Sequence, residues 1–175
     1  MYKQNIIIFY KRKKEFLLLL WSDKDPQFKK SFWYVVTGGC ENEDSTLKDT
    51  VKREIKEETN LDVIDSMYLN WIFKYKSLGK DCTEYAFISK VNDSNIVLNE
   101  ESISYKWCNL NEFINLIQWY GDKDILNKVL ETALENNIFF KKENTRIFIW
   151  NATKISWKSK WTVDRSKKNS YNIFD

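Results

Sequence analysis

Two runs near the start of the chain, Ile6-Ile7-Ile8-Phe9 and Phe16-Leu17-Leu18-Leu19-Leu20-Trp21, are apolar at every position rather than at alternate ones. Side chains along a strand point to opposite faces in turn, so strands of this kind need cover on both sides. Charged residues 11–15 separate the two runs and predict a hairpin. A sheet buried on both faces needs helices over each, which restricts the fold to a layered α/β or α+β arrangement. The rest of the pattern agrees. Further strands are expected at residues 32–36, 63–69, 71–77, 84–91 and 102–107, with a turn at Gly79-Lys80-Asp81, and helices at 46–59, 109–119 and 123–135.

The helix at 46–59 carries the strongest chemical signal. Thr46 and Asp49 have the spacing of a capping box, and Asn60 is suited to end the helix. Leu47, Val51 and Ile55 form an apolar stripe. Glu54, Glu57 and Glu58 stand at i, i+3 and i+4 on one face, expected opposite that stripe. Three neighbouring carboxylates repel one another, and a divalent cation would reverse that sign. The bland alternative is a solvated surface helix. With no His in the chain, His bases and His-containing zinc sites are excluded, and carboxylates are left as the candidate catalytic groups.

The wider spacing favours the metal reading. Laid from Gly39, the chain resembles the Nudix box, G-x5-E-x7-R-E-U-x-E-E-x-G-U with U aliphatic, and Arg53, Glu54, Ile55, Glu57, Glu58 and Leu61 fall in register. Two positions depart: Ser45 stands at the first Glu, and Asn60 at the late Gly. Asp44, Glu43 and Glu41 are acids of the same loop, but none is in register. The resemblance implies an α/β/α sandwich with a mixed sheet and a loop–helix–loop catalytic motif. It also implies hydrolysis of a nucleoside diphosphate linked to another group with Mg²⁺ or Mn²⁺, held by Glu54, Glu57, Glu58 and the carbonyl of Gly39. Arg53 either orients a box carboxylate or is an ordinary helix Arg.

Two further segments are similar to the branch of the family that hydrolyses dihydroneopterin triphosphate and dATP. They are Glu101 with Tyr105-Lys106-Trp107, and Phe32-Trp33 before Val36-Thr37-Gly38. By that likeness Glu101 is a candidate metal ligand or general base, against a solvated strand-edge residue. Trp33 is a candidate to stack on the substrate ring, against a core aromatic. The basic turn offers Arg12 as a candidate phosphate contact, while Trp21-Ser22 stands where the branch has an Arg. The expected substrate is a nucleotide-like triphosphate; the alternative is a binding or regulatory module with weakened catalysis, given Ser45.

The likeness covers residues 1–137. Residues 138–175 hold nine Lys/Arg against three Asp/Glu, a net +6, which leaves −3 for the rest of a chain totalling +3. Trp157 and Trp161 lie among these basic residues, so the extension either packs on the domain or a subunit, or binds nucleic acid. Cys40, Cys82 and Cys108 suggest neither a disulfide framework nor a zinc site, and a cytoplasmic setting is expected. No apolar run approaches the length of a membrane span, and a symmetric homodimer is the default assembly.

Overall fold

The computed structural model describes residues 2–10, 14–22, 30–77, 79–92, 95–119 and 121–136. Arg12 and the extension from 138 lie outside the described residues. The elements run β1 (Tyr2–Tyr10), β2 (Glu15–Trp21), β3 (Trp33–Tyr34), β4 (Val36–Gly39), α1 (Leu47–Thr59), β5 (Val63–Ser77), β6 (Lys80–Val91), β7 (Ser102–Cys108), α2 (Leu110–Leu116) and α3 (Lys123–Asn136).

All seven strands join one mixed sheet. Strand β1 lies at its centre, parallel to β6 on one edge. Its other edge is shared in succession by β4, through Lys3↔Gly39 to Ile6↔Val36, and by β2, through Ile8↔Leu17 to Tyr10↔Glu15. The two apolar runs are buried on both sides, as their pattern requires. Ile6, Ile8, Leu17 and Leu19 join Val51 and Ile55 of α1 in one cluster. Ile7, Phe9, Phe16 and Leu18 join Phe113 of α2 and Leu126, Val129 and Leu130 of α3 in the other. One helix therefore covers one face and two cover the opposite face, with Ile55 and Leu126 fully enclosed.

Four details differ from the sequence pattern, the first being that the strand expected at 32–36 is split into β3, paired with β2, and β4, paired with β1. Strand β5 is continuous through residue 70, where a break was expected. Asn70 at φ 53° sits in a register shift between Tyr68 and Ile72, so a bulge bends the strand without ending it. Strand β6 starts at Lys80, immediately after Gly79 at φ 77°, leaving a tighter hairpin than the glycine triplet suggested. Helix α2 stops at Leu116, because Ile117 leaves helical geometry and, like Trp119, is drawn into the core.

Helix α1 is delimited as its caps demand. Thr46 and Asp49 make the reciprocal capping-box bonds, and Asn60 closes the other end at φ 59°, donating its N–H to Lys56. A residue with a β-carbon resists this left-handed conformation, and Asn tolerates it best after Gly. Asn60→Ala is expected to cost about 1 kcal/mol and lower the melting temperature by roughly 2–4 °C, with Asn60→Gly at or above wild type. Calorimetry of the three proteins checks the order.

Candidate active site

The site is assembled where β4 runs out and α1 begins. Gly38 has no side chain, and the Glu54 carboxyl fills the volume that a β-carbon there would need. Glu54 and Glu58, one turn apart, are both buried, at 9% and 1% exposure, whereas Glu57 keeps over half its side chain in solvent. The acids thus do not form the outward stripe that the helical spacing suggested. Two of them flank Val51 and Ile55 on the inward side, because the spacing of residues gives an angle around the helix but not a depth.

Burying a carboxylate costs heavily unless it is paired. Glu58 accepts one hydrogen bond, from the Thr37 N–H to Oε1 at 3.2 Å, and its Oε2 is buried without a hydrogen-bond partner. Burial above all, then the charge of Glu101, holds its pKa well above the ordinary carboxylate range; Glu54 and Glu57 add to this, opposed by the Thr37 N–H. Burial also raises Glu54, against the pull of the Arg53 guanidinium. Glu101 is exposed, and its carbonyl accepts the Ser22 N–H at 2.9 Å, fixing the loop beside the end of β2. Glu54, Glu57, Glu58 and Glu101 are therefore gathered into one acidic region from two segments of chain.

Arg53 lies among them. Its Nη1 donates to Glu54 Oε1 at 2.8 Å and Glu57 Oε2 at 3.2 Å. Its Nη2 donates to the Gly39 carbonyl and to Asp44 Oδ2, both at 2.8 Å, and Nε donates to Asp44 Oδ1 at 3.3 Å. Arg53 is therefore hydrogen-bonded on every nitrogen rather than free on the helix surface. Among the described residues no three Asp, Glu or Cys side chains converge on a point that would hold an ion. The donor set still fits a hard divalent cation. It is all oxygen, it includes a buried carboxylate oxygen with no hydrogen-bond partner, and it carries more negative charge than one Arg neutralises.

A cleft of about 1030 Å³ opens from this region and is lined by the acids Glu54, Glu57 and Glu101 and by the aromatics Trp21, Phe32, Tyr34 and Phe73. Trp21 meets Tyr34 edge-on at 5.9 Å and Phe73 meets Trp119 edge-on at 5.3 Å, so the aromatic wall is continuous with the core. Trp33 packs against the core cluster while its neighbours Phe32 and Tyr34 line the cleft. Pattern reading also passed over Lys3 and Glu84. Gly39, Lys3, Glu84 and Phe73 are successive partners across β4, β1, β6 and β5, and all four line the cleft. Glu84 is 7% exposed, and burial raises its pKa against the charge of Lys3 and hydrogen bonds from Asn5 and Tyr75. The available signal was a charged residue on the face of β6 that also carries Ala86 and Ile88.

Among the described residues no helix is long and apolar enough to cross a membrane. The family profile of the NUDIX domain matches residues 1–129. Among solved structures, one described as a NUDIX hydrolase from Listeria monocytogenes is 27% identical, with a TM-score of 0.63, covering 78% of this chain and 96% of that one. A MutT protein from Methanosarcina mazei is 22% identical at a TM-score of 0.60, over 78% and 94% of the two chains. The E. coli dihydroneopterin triphosphate pyrophosphohydrolase is 21% identical at 0.58, over 75% and 96%. No curated protein sequence matched. The family profile spans well over half the chain, the strand and helix layers agree with those structures, and the box residues lie together in space: the chain belongs to the NUDIX hydrolase family.

Proposed function

We propose that this chain is a divalent-cation-dependent pyrophosphohydrolase acting on a nucleoside triphosphate or a related compound such as dihydroneopterin triphosphate. The observation that carries the reading is Glu58, buried with a partnerless Oε2 and within reach of the charges of Glu54 and Glu101, which line the aromatic-walled cleft. A structural carboxylate in that position would only destabilise the fold. Glu54, Glu57, Glu58 and the Gly39 carbonyl are the groups that would hold Mg²⁺ or Mn²⁺. Such an ion, when bound, supplies Lewis acidity toward the phosphoryl oxygens and the attacking water.

The chain's own groups have separate tasks. Arg53 fixes the directions of Glu54, Glu57 and the Gly39 carbonyl. Glu101, exposed on the cleft and held through its backbone by Ser22, takes the proton from the attacking water at its carboxylate. Water oxygen bonds to phosphorus, the opposite P–O bond breaks, and the leaving pyrophosphate or nucleoside monophosphate keeps the electron pair. Trp21, Phe32, Tyr34 and Phe73 form a wall on which a heterocycle can lie. The Glu101 and Tyr105-Lys106-Trp107 element and the Phe32-Trp33 run support a triphosphate of the dihydroneopterin or dATP kind.

A panel of nucleoside triphosphates, dihydroneopterin triphosphate, dinucleoside polyphosphates, nucleotide sugars and capped RNA, assayed with Mg²⁺ for pyrophosphate and phosphate release, tests the reading. Metal-dependent turnover of a triphosphate is expected, and loss of it with chelator. Ligand binding without turnover of any compound would overturn the proposal in favour of a binding module.

A further inference from the structure

We infer that Asp44 is the positioning residue of this site, holding Arg53 from one position before Ser45, where the box has its first Glu. The inference rests on the proposed metal-dependent hydrolysis. Its basis is the complete use of Arg53. A guanidinium has five N–H groups in a fixed planar fork. All five are engaged: Nε and one Nη2 hydrogen with the two Asp44 oxygens, the other Nη2 hydrogen with the Gly39 carbonyl, and the two Nη1 hydrogens with Glu54 and Glu57. Three of those acceptors belong to groups that would hold the cation. The remaining two are the fork made with Asp44, and that fork sets the plane in which the rest must lie.

Asp44 is itself locked. Its Oδ2 also accepts the Glu41 N–H at 3.0 Å and the Thr50 hydroxyl at 2.9 Å, and its side chain is only 6% exposed. The loop closes back on itself where the Asp44 N–H meets the Glu41 carbonyl at 3.2 Å, which turns residue 44 inward and leaves Ser45 exposed. The Arg53 hydrogen bond, the largest influence, holds the Asp44 carboxyl near a pKa of about 2, so the fork persists throughout the working pH range. Without Asp44, two guanidinium hydrogens lose their partners and only the bonds to Gly39, Glu54 and Glu57 are left to set the plane.

The test uses the full chain in four forms: wild type, Asp44→Ala, Ser45→Glu, and Asp44→Ala with Ser45→Glu. Asp44→Asn replaces Asp44→Ala in both places should the alanine form fail to fold. Three readouts are taken: the Arg53 Nε–H resonance in metal-free protein, Mn²⁺ affinity by electron paramagnetic resonance, and kcat and KM with Mg²⁺ on the best triphosphate of the panel. Asp44→Ala is expected to shift the Nε–H resonance, weaken Mn²⁺ binding by about 10–100-fold and lower kcat by a similar factor with little change in KM. Adding Ser45→Glu is expected to recover most of both losses. Wild-type Mn²⁺ affinity in Asp44→Ala overturns the inference, as does a double variant no better than Asp44→Ala. If wild type binds Mn²⁺ but turns over nothing, the hydrolase reading fails, and Asp44 is judged on the Mn²⁺ and resonance data alone.

Discussion

Glu58→Gln is expected to slow turnover by roughly 10³-fold, several kcal/mol of transition-state stabilisation, while making the metal-free protein more stable. The two effects have one cause. Glu58 is 1% exposed, one of its oxygens has no hydrogen-bond partner, and Glu101, Glu54 and Glu57 add negative charge around it. Gln keeps the shape and can still accept the Thr37 N–H, but removes the charge. The sign follows from linkage. A carboxyl whose pKa rises on folding favours the fold while both states are protonated, below the unfolded value of about 4.3. That contribution is lost as pH climbs toward the folded value. The melting advantage of Glu58→Gln should therefore be small near pH 4 and grow toward pH 8, in chelator. Saturating Mg²⁺ should narrow the gap, since a ligand of the folded state stabilises wild type alone. Scanning calorimetry across that range decides the matter, and a variant melting below wild type at pH 8 without metal would contradict it.

The second large effect is expected at Gly38→Ala. The new β-carbon would overlap the Glu54 carboxyl, both oxygens included. The positive-φ glycine of the described residues is Gly79, so Gly38 needs no left-handed backbone, and the three atoms nearest the new β-carbon all belong to Glu54. Displacing a carboxylate of the proposed metal set by about 1 Å is expected to lower activity by roughly 10²-fold. Overpacking should add a loss of stability of about 1–3 kcal/mol. Gly39→Ala is the structural comparison, since its nearest neighbour would be the Tyr2 carbonyl at an ordinary 3.8 Å and stability should hardly change. Steady-state kinetics with urea unfolding of both variants separates the two. Equal stability losses would show that the Glu54 contact is not the controlling one.

Much of the fold could be read because its signals are local or redundant. Unbroken apolar runs at residues 6–9 and 16–21 require two covered faces, and Thr46 with Asp49 and Asn60 delimit α1 within one turn of chain. Asn70 misled because a left-handed residue in a long strand looks like a break until the partner strand is seen to absorb it as a bulge. In the site, Arg53 and the three glutamates were legible from spacing, but their depth was not. Burial of Glu54 depends on the empty volume at Gly38, and that of Glu58 on the strand end carrying Thr37. Asp44 was out of register, and only the closed turn from Glu41 brings its carboxylate onto Arg53. Lys3 and Glu84 become neighbours through a parallel pairing that no nearby residue announces.

That pairing also governs how the chain can reach its fold. Strand β1 meets β2 within a few residues and β4 about thirty residues on, but it meets β6 only after some eighty residues have intervened. Closing long loops before any contact repays them slows folding, and pairings of this separation place a domain among slower folders. On a ribosome the β1–β2 hairpin emerges well before β6, leaving the apolar edge and faces of β1 without their permanent cover. The strand that supplies Lys3 to the cleft thus needs protection while the polypeptide is being made.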